Sequence, residues 1–218
     1  MKKMNHIKSV LALILIFALT LSIPTLLNSC VQKKAEDLPK GGTVEETPTE
    51  TKPQKIIYRL TLETTNYVRI QIKNYGTIVI ELYPDLAPET VAWFQDRVTS
   101  EYYDDSKFHR VVKNSVMEGG IPKDTDKVST LPTLAEETSS LALSRGVVSL
   151  VRDEAMNGKF FVCLSDTPEY SGTHVPFGKV VDGLDVLDKI NGTALIGQTP
   201  VDKLEMMIVR FVYPDPVE

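Results

Sequence analysis

Apolar and polar positions alternate along two neighbouring stretches of the chain. Val68, Ile70 and Ile72 interleave with Tyr67, Arg69, Gln71 and Lys73, the period of a half-buried strand. After Asn74-Tyr75-Gly76 the alternation resumes, with Ile78, Ile80 and Leu82 on one face and Thr77, Val79 and Glu81 on the other. The pair predicts an antiparallel hairpin closed by a Gly-containing turn. The period then lengthens: Val91, Phe94 and Val98 fall at helical spacing, Pro88 suits a first helical turn, and Glu89 suits the positive end of the helix dipole. Shorter apolar runs over 111–112, 147–151, 160–164 and 175–180 predict further strands, 184–190 a short helix and 206–212 a last strand. The class is mainly β with two helices.

Ahead of the alternating region the pattern is of another kind. Lys2, Lys3 and Lys8 precede an almost wholly apolar run over 10–21, which is the order of an export signal and is short for a membrane span. It ends in Leu27-Asn28-Ser29-Cys30, which resembles the lipobox of bacterial lipoproteins. That resemblance implies that Cys30 is lipidated, becomes the first mature residue and anchors the chain to a membrane of a bacterial cell envelope, with the remainder outside the cytoplasm. A cysteine that merely follows an apolar helix is the plainer alternative. From 31 to 55 the composition turns to Lys, Glu, Thr, Pro and Gly, which cannot form a core and reads as a flexible tether. A coil of that length spans about 25 to 30 Å. The expected organisation is therefore a signal peptide over 1–30, a tether over 31–55 and one folded domain over 56–218.

The 218 residues, 42% apolar and 24% charged, fit a globular domain with appendages and exclude collagen-like repetition, disorder throughout and a multi-span membrane protein. Without residues 1–30 the chain carries 21 basic and 29 acidic residues, a formal charge of −8, which argues against nucleic acid as a partner. Only Cys163 follows Cys30, so a mature chain has no intrachain disulfide and depends on its core. His109 and His174 are the only histidines after residue 30, no HExxH or CxxC spacing occurs, and no metal site is expected. GxSxG, P-loop and GxGxxG patterns are missing too. The acidic pairs Asp104-Asp105 and Glu136-Glu137 have no spacing suited to paired-carboxylate chemistry and read as solvated loops.

What remains is an ordered constellation. Phe108-His109-Arg110-Val111-Val112 is followed by Glu118-Gly119-Gly120, then by Phe160-Phe161-Val162-Cys163 and His174-Val175-Pro176-Phe177-Gly178-Lys179. Together with Leu86-Ala87-Pro88-Glu89-Thr90-Val91 and Arg145-Gly146-Val147-Val148-Ser149-Leu150, it resembles the cyclophilin family of peptidyl-prolyl isomerases from about Tyr67 to Val212. The resemblance implies a closed eight-stranded antiparallel β-barrel capped by two α-helices, with an outer groove that holds an Xaa-Pro peptide. It places Arg110 as the catalytic cation, Phe161 as the pocket phenylalanine and His174 at the pocket wall, and makes His109 an inward-facing scaffold residue. Val116, Glu118, Val151 and Tyr170 fall among the positions that would meet the peptide.

Several of these depart from the family pattern. Ser115 and Val116 stand where the family has phenylalanine and methionine, which makes the proline pocket shallower. Glu118 stands for a backbone-binding glutamine, and Lys159 for a second one. Glu169-Tyr170 occupies the place of a tryptophan or similar apolar residue, and the segment 151–159 is shortened, with Arg152 fitting a bacterial variant of it. Trp93, on the predicted first helix, reads as packing.

The chemistry asks little of the protein. Amide resonance holds the prolyl bond planar, with a barrier of about 18 to 20 kcal/mol. Twisting it localises a lone pair on the proline nitrogen, where a hydrogen-bonding cation binds the twisted state more tightly than either planar one. No electron, proton or phosphoryl group moves, so no cofactor is expected. The expected partners are Xaa-Pro segments of unfolded or exposed exported proteins, met by a monomer. Two alternatives use the same barrel: a weakly catalytic or inactive module that binds proline-containing segments, and a structural envelope lipoprotein.

Overall fold

The computed structural model describes residues 55–130, 134, 136–152 and 158–216. The signal-like segment with Cys30 and the tether up to residue 54 lie outside the described residues. Among the described residues, eleven strands and two α-helices follow in the order β1 (Ile56–Leu60), β2 (Tyr67–Ile72), β3 (Gly76–Leu82), α1 (Pro88–Thr99), β4 (Ser106–Val112), β5 (Val116–Ile121), β6 (Val147–Leu150), β7 (Phe160–Cys163), β8 (Val175–Asp182), α2 (Leu184–Asn191), β9 (Leu195–Ile196), β10 (Thr199–Pro200) and β11 (Leu204–Pro216).

Eight of these strands close a ring in the order β11-β2-β3-β8-β6-β7-β5-β4, with every pairing antiparallel. The closing strand is β11, whose Leu204–Met206 pairs with β4 while Met206–Val212 pairs with β2. Closure removes the exposed edges that an open sheet of this size would present. The expected eight-stranded barrel is the observed one. A ninth strand, β1, lies outside the ring and pairs with Val212–Pro216 of β11.

Alternation does what the pattern predicts in β2, where Val68, Ile70 and Ile72 are buried and the residues between them are half-exposed. The barrel interior is rich in aromatic rings. Phe94 of α1 sits 5.2 Å from Tyr103, 5.6 Å from Phe160 and 4.9 Å from Phe177 between ring centroids, so the helix is keyed into the barrel end by one side chain. On the same helix Arg97 is 2% exposed, donates from Nη1 to the Trp93 carbonyl at 2.6 Å and lies 3.6 Å over the Trp93 ring. Trp93 is thus packing, as expected, and shields a buried guanidinium.

One carboxylate of each acidic pair, Glu137 and Asp104, corrects the reading of solvated loops, while Glu136 and Asp105 are exposed as expected. Helix α1 starts without a side-chain cap of its own, and Glu137 supplies one from outside, accepting from the backbone N–H of Glu89 at 3.0 Å and of Thr90 at 2.8 Å. Asp104 accepts from the Val209 N–H at 3.0 Å and from Arg210 Nη1 at 2.9 Å, fixing the loop after α1 to β11. A carboxylate run can look idle in sequence when its partners are backbone donors far along the chain.

Candidate functional site

Cross-strand register assembles the site. Arg110 on β4 is opposite Glu118 on β5, Glu118 is opposite Phe161 on β7, and Phe161 is opposite Ser149 on β6. Directly opposed residues share a face of the sheet, so one row crosses four strands on the outside of the barrel. Val112, Val116 and Cys163 form the adjacent row.

The pocket end of this surface is apolar. Phe161, 3% exposed, and Val116, 2% exposed, pack with Leu143, Val147 and Cys163, while Val151 and Tyr170 cover them as half-buried neighbours. The ring of His174 meets Phe161 edge-on at 5.2 Å and Tyr170 at 5.8 Å, and Tyr170 lies 5.8 Å from Phe161. Tyr170 reaches this position on a single 3₁₀ turn over Pro168–Tyr170, so a phenol ring completes the aromatic rim. His174 Nδ1 accepts the backbone N–H of Arg152 at 3.3 Å. That bond sets the ring orientation. Cys163, free and buried, has its thiol pushed up to about 11 by burial, which keeps it a neutral packing group.

The charged end is tied together by Glu118. One of its oxygens, Oε2, accepts from Arg110 Nη1 at 3.1 Å, and the other lies 3.6 Å from His109 Nε2. His109, then the fields of Arg110 and Lys159, hold the Glu118 carboxyl below its ordinary range against the opposing effect of burial. Arg110 is held a second time, because its Nε donates to Gln198 Oε1 at 2.7 Å. Its Nη2 has no partner among the described residues.

His109 does not face inward, which corrects the role that the resemblance implied. The β4–β5 register slips between Phe108 and Arg110, so His109 and Arg110 together stand against one residue of β5 and both turn outward to Glu118. The glycines that follow permit the slip. A Cβ on Gly119 would lie 2.7 Å from the Lys107 carbonyl, and Gly120, at φ +96°, would place one 2.9 Å from the Gly158 carbonyl.

Gln198 is the residue that sequence reasoning missed. It follows Gly197 in the turn of the small β9–β10 hairpin, and its own carbonyl accepts the Val111 N–H at 2.8 Å, so the hairpin is docked on β4 beside Arg110. The only sequence signal was a Gly197-Gln198 turn between two short apolar stretches.

A closed eight-stranded barrel with two helices, carrying an outer row of arginine, carboxylate and aromatic side chains, is the architecture that the resemblance to prolyl-peptide isomerases implied. The family model described as cyclophilin type peptidyl-prolyl cis-trans isomerase/CLD matches residues 67–211. The chain belongs to that family. Peptidyl-prolyl cis-trans isomerase B of Escherichia coli is 34% identical over 134 residues, covering 56% of this chain and 82% of that one. A peptidyl-prolyl cis-trans isomerase-like 2 protein of Rhizopus delemar is 38% identical over 136 residues, covering 59% of this chain but only 25% of the fungal protein. Among solved structures, a cyclophilin type isomerase of Cryptosporidium parvum superposes with TM-score 0.59 at 24% identity, covering 69% of this chain and 99% of that one. Its structure in the presence of the dipeptide Ala-Pro gives TM-score 0.57 at 25% identity, covering 66% and 97%.

Proposed function

We propose that the chain isomerises Xaa-Pro bonds of exported proteins while anchored to a bacterial membrane through Cys30, and that Arg110 stabilises the twisted prolyl bond. The observation that carries this reading is the outer row Arg110, Glu118 and Phe161, flanked by His174 and Tyr170. In it, Phe161 and Val116 form an apolar floor for the proline ring, with Val151, Tyr170 and His174 as its rim. Arg110 turns its unoccupied Nη2 toward the reacting amide, and only the twisted bond offers it a localised lone pair. Each ~1.4 kcal/mol of differential binding is worth about tenfold in rate. The relatives named isomerases and the neighbour studied with Ala-Pro support the same chemistry. The lipobox-like segment supports the anchor, and the folded unit acts as a monomer on unfolded or exposed segments.

A second reading has one observation in its favour. Arg110 is engaged by both Gln198 and Glu118, which suits a module that grips proline-containing segments without turning them over. A proline-specific turnover assay decides between them. Arg110→Ala is expected to remove turnover by about tenfold or more, while the melting temperature moves by no more than about 2 °C, since a surface-pair arginine adds little to the core. Wild-type turnover no faster than the uncatalysed rate, with retained binding of a proline peptide, establishes the binding module instead. Mass spectrometry of the mature amino terminus tests the anchor: acylation at Cys30, lost in Cys30→Ser together with membrane partitioning, is the expected result.

A further inference from the structure

A cavity of about 580 Å³ borders the groove at His109. Lys73, Lys107, Lys123 and Lys203 line it, coming from the β2–β3 turn, from β4, from the segment just after β5 and from the residue just before β11. Four ammonium groups thus gather in a chain whose formal charge is −5. The two carboxylates of the lining do not balance them: Glu205 takes Lys73 at 3.0 Å, and Asp105 lies 4.0 Å from Lys123. Lys107 and Lys203 have no side-chain hydrogen bond or ion pair among the described residues. The local field is positive enough to hold the Glu205 carboxyl below its ordinary range, chiefly through the hydrogen bond from Lys73, with Lys203 and Lys123 adding to it.

Two of the lining residues also carry a buried polar atom that lacks a hydrogen-bond partner among the described residues, Ser106 Oγ and His109 Nδ1. The ammonium groups of Lys107 and Lys203, which no carboxylate takes up among the described residues, form a donor set suited to oxygen anions. The cavity is coupled to the groove, because His109 Nε2 is 3.6 Å from one Glu118 oxygen and Arg110 Nη1 is 3.1 Å from the other. His109 and Arg110 are also consecutive on β4, with Cα atoms ~3.8 Å apart, so cavity and groove lie within a few residues of one extended peptide.

We infer that this cavity binds an oxyanion, and, resting on the isomerase reading above, that its ligand is the carboxylate of an acidic residue flanking the prolyl bond of the client segment. A free anion such as phosphate shares the chemistry, so the test has two arms. In the first, inorganic phosphate is titrated into the full chain and the His109 ring resonances are followed by NMR. A saturable shift is expected, weakened about threefold or more in Lys107→Gln/Lys203→Gln. In the second, turnover is compared for two Xaa-Pro peptides that differ only by Glu or Gln beside the prolyl dipeptide. The Glu peptide is expected to show a kcat/KM about three- to tenfold higher at low salt, an advantage lost at high salt and in the double variant, with Gln-peptide turnover unchanged. Phosphate binding without a Glu advantage keeps the oxyanion site and overturns the client carboxylate as its ligand. A Glu advantage that the double variant retains, or the absence of both effects, overturns the site. A chain that turns over neither peptide fails the isomerase reading, and the phosphate arm then still decides the cavity.

Discussion

Glu118 holds the site together and is also its largest departure from the family pattern. Its carboxylate spans Arg110 and His109, so under the proposed mechanism it would compete with a bound peptide for the Arg110 donors. Glu118→Gln is expected to raise turnover by about two- to fivefold, the share of one partly exposed ion pair expressed as a rate. A fall in turnover would mean that the carboxylate orients the guanidinium for its task. The same variant has a stability signature. The folded-state pKa of Glu118 is lowered, so its contribution is present above the ordinary carboxylate value of 4.5 and is lost as the pH falls through the folded value. Thermal melting between about pH 6 and 3 should therefore show a smaller decline for Glu118→Gln than for the wild type; equal declines would refute the linkage. Arg110, Phe161 and His174 were legible at this scale because short motifs carry them. The outward turn of His109 and the grip of Gln198 were not, since the first depends on a one-residue register slip and the second on a hairpin docked from far along the chain.

Elements were legible where apolar residues kept a period. The β2–β3 hairpin, α1 and the late strands stand where alternation and helical spacing place them. Strand β5 was hidden, because Gly119 and Gly120 remove the side chains that would display its period and glycine argues against a strand. Strand β1, Ile-Ile-Tyr-Arg-Leu, shows no alternation and adjoins the polar tether. The start of α1 was legible through Pro88, but its cap was not, because the capping carboxylate lies 47 residues on from Thr90. Glu137→Ala leaves two orphan N–H groups and a dipole end without their anion, a cost of about 1 to 2 kcal/mol. In a domain of this size that lowers the melting temperature by about 3 to 6 °C. Glu137→Gln, which keeps one acceptor, should fall by less. An unchanged melting temperature for Glu137→Ala would show that water serves the helix end as well as the carboxylate does.

At the scale of the whole molecule the question is which parts of the chain the barrel needs. The ring of eight strands was implied by the family resemblance and not by periodicity, since alternation fixes which side of a strand is buried but not which strand it meets. Closure depends on β11, which pairs with β4 and β2 within one continuous strand, whereas β1 only extends the far end of β11. Strand β1 buries little: Ile56, Ile57 and Leu60 are 50%, 43% and 57% exposed. Deleting residues 31–54 is therefore expected to leave the melting temperature unchanged, because a segment of that composition cannot bury enough apolar surface to offset its chain entropy. A chain that starts at Thr64 loses β1 as well but keeps the Thr65 hydroxyl bonded to the Val212 carbonyl, and it should lose only about 2 to 6 °C while keeping its turnover. The bare edge of β11 should show instead as a greater tendency to associate. Removing residues 204–216 opens the ring between β4 and β2 and should abolish cooperative unfolding. A fall of several degrees on deleting 31–54 would place part of that segment against the barrel, and loss of folding on deleting β1 would make the ninth strand part of the cooperative unit rather than an appendage to it.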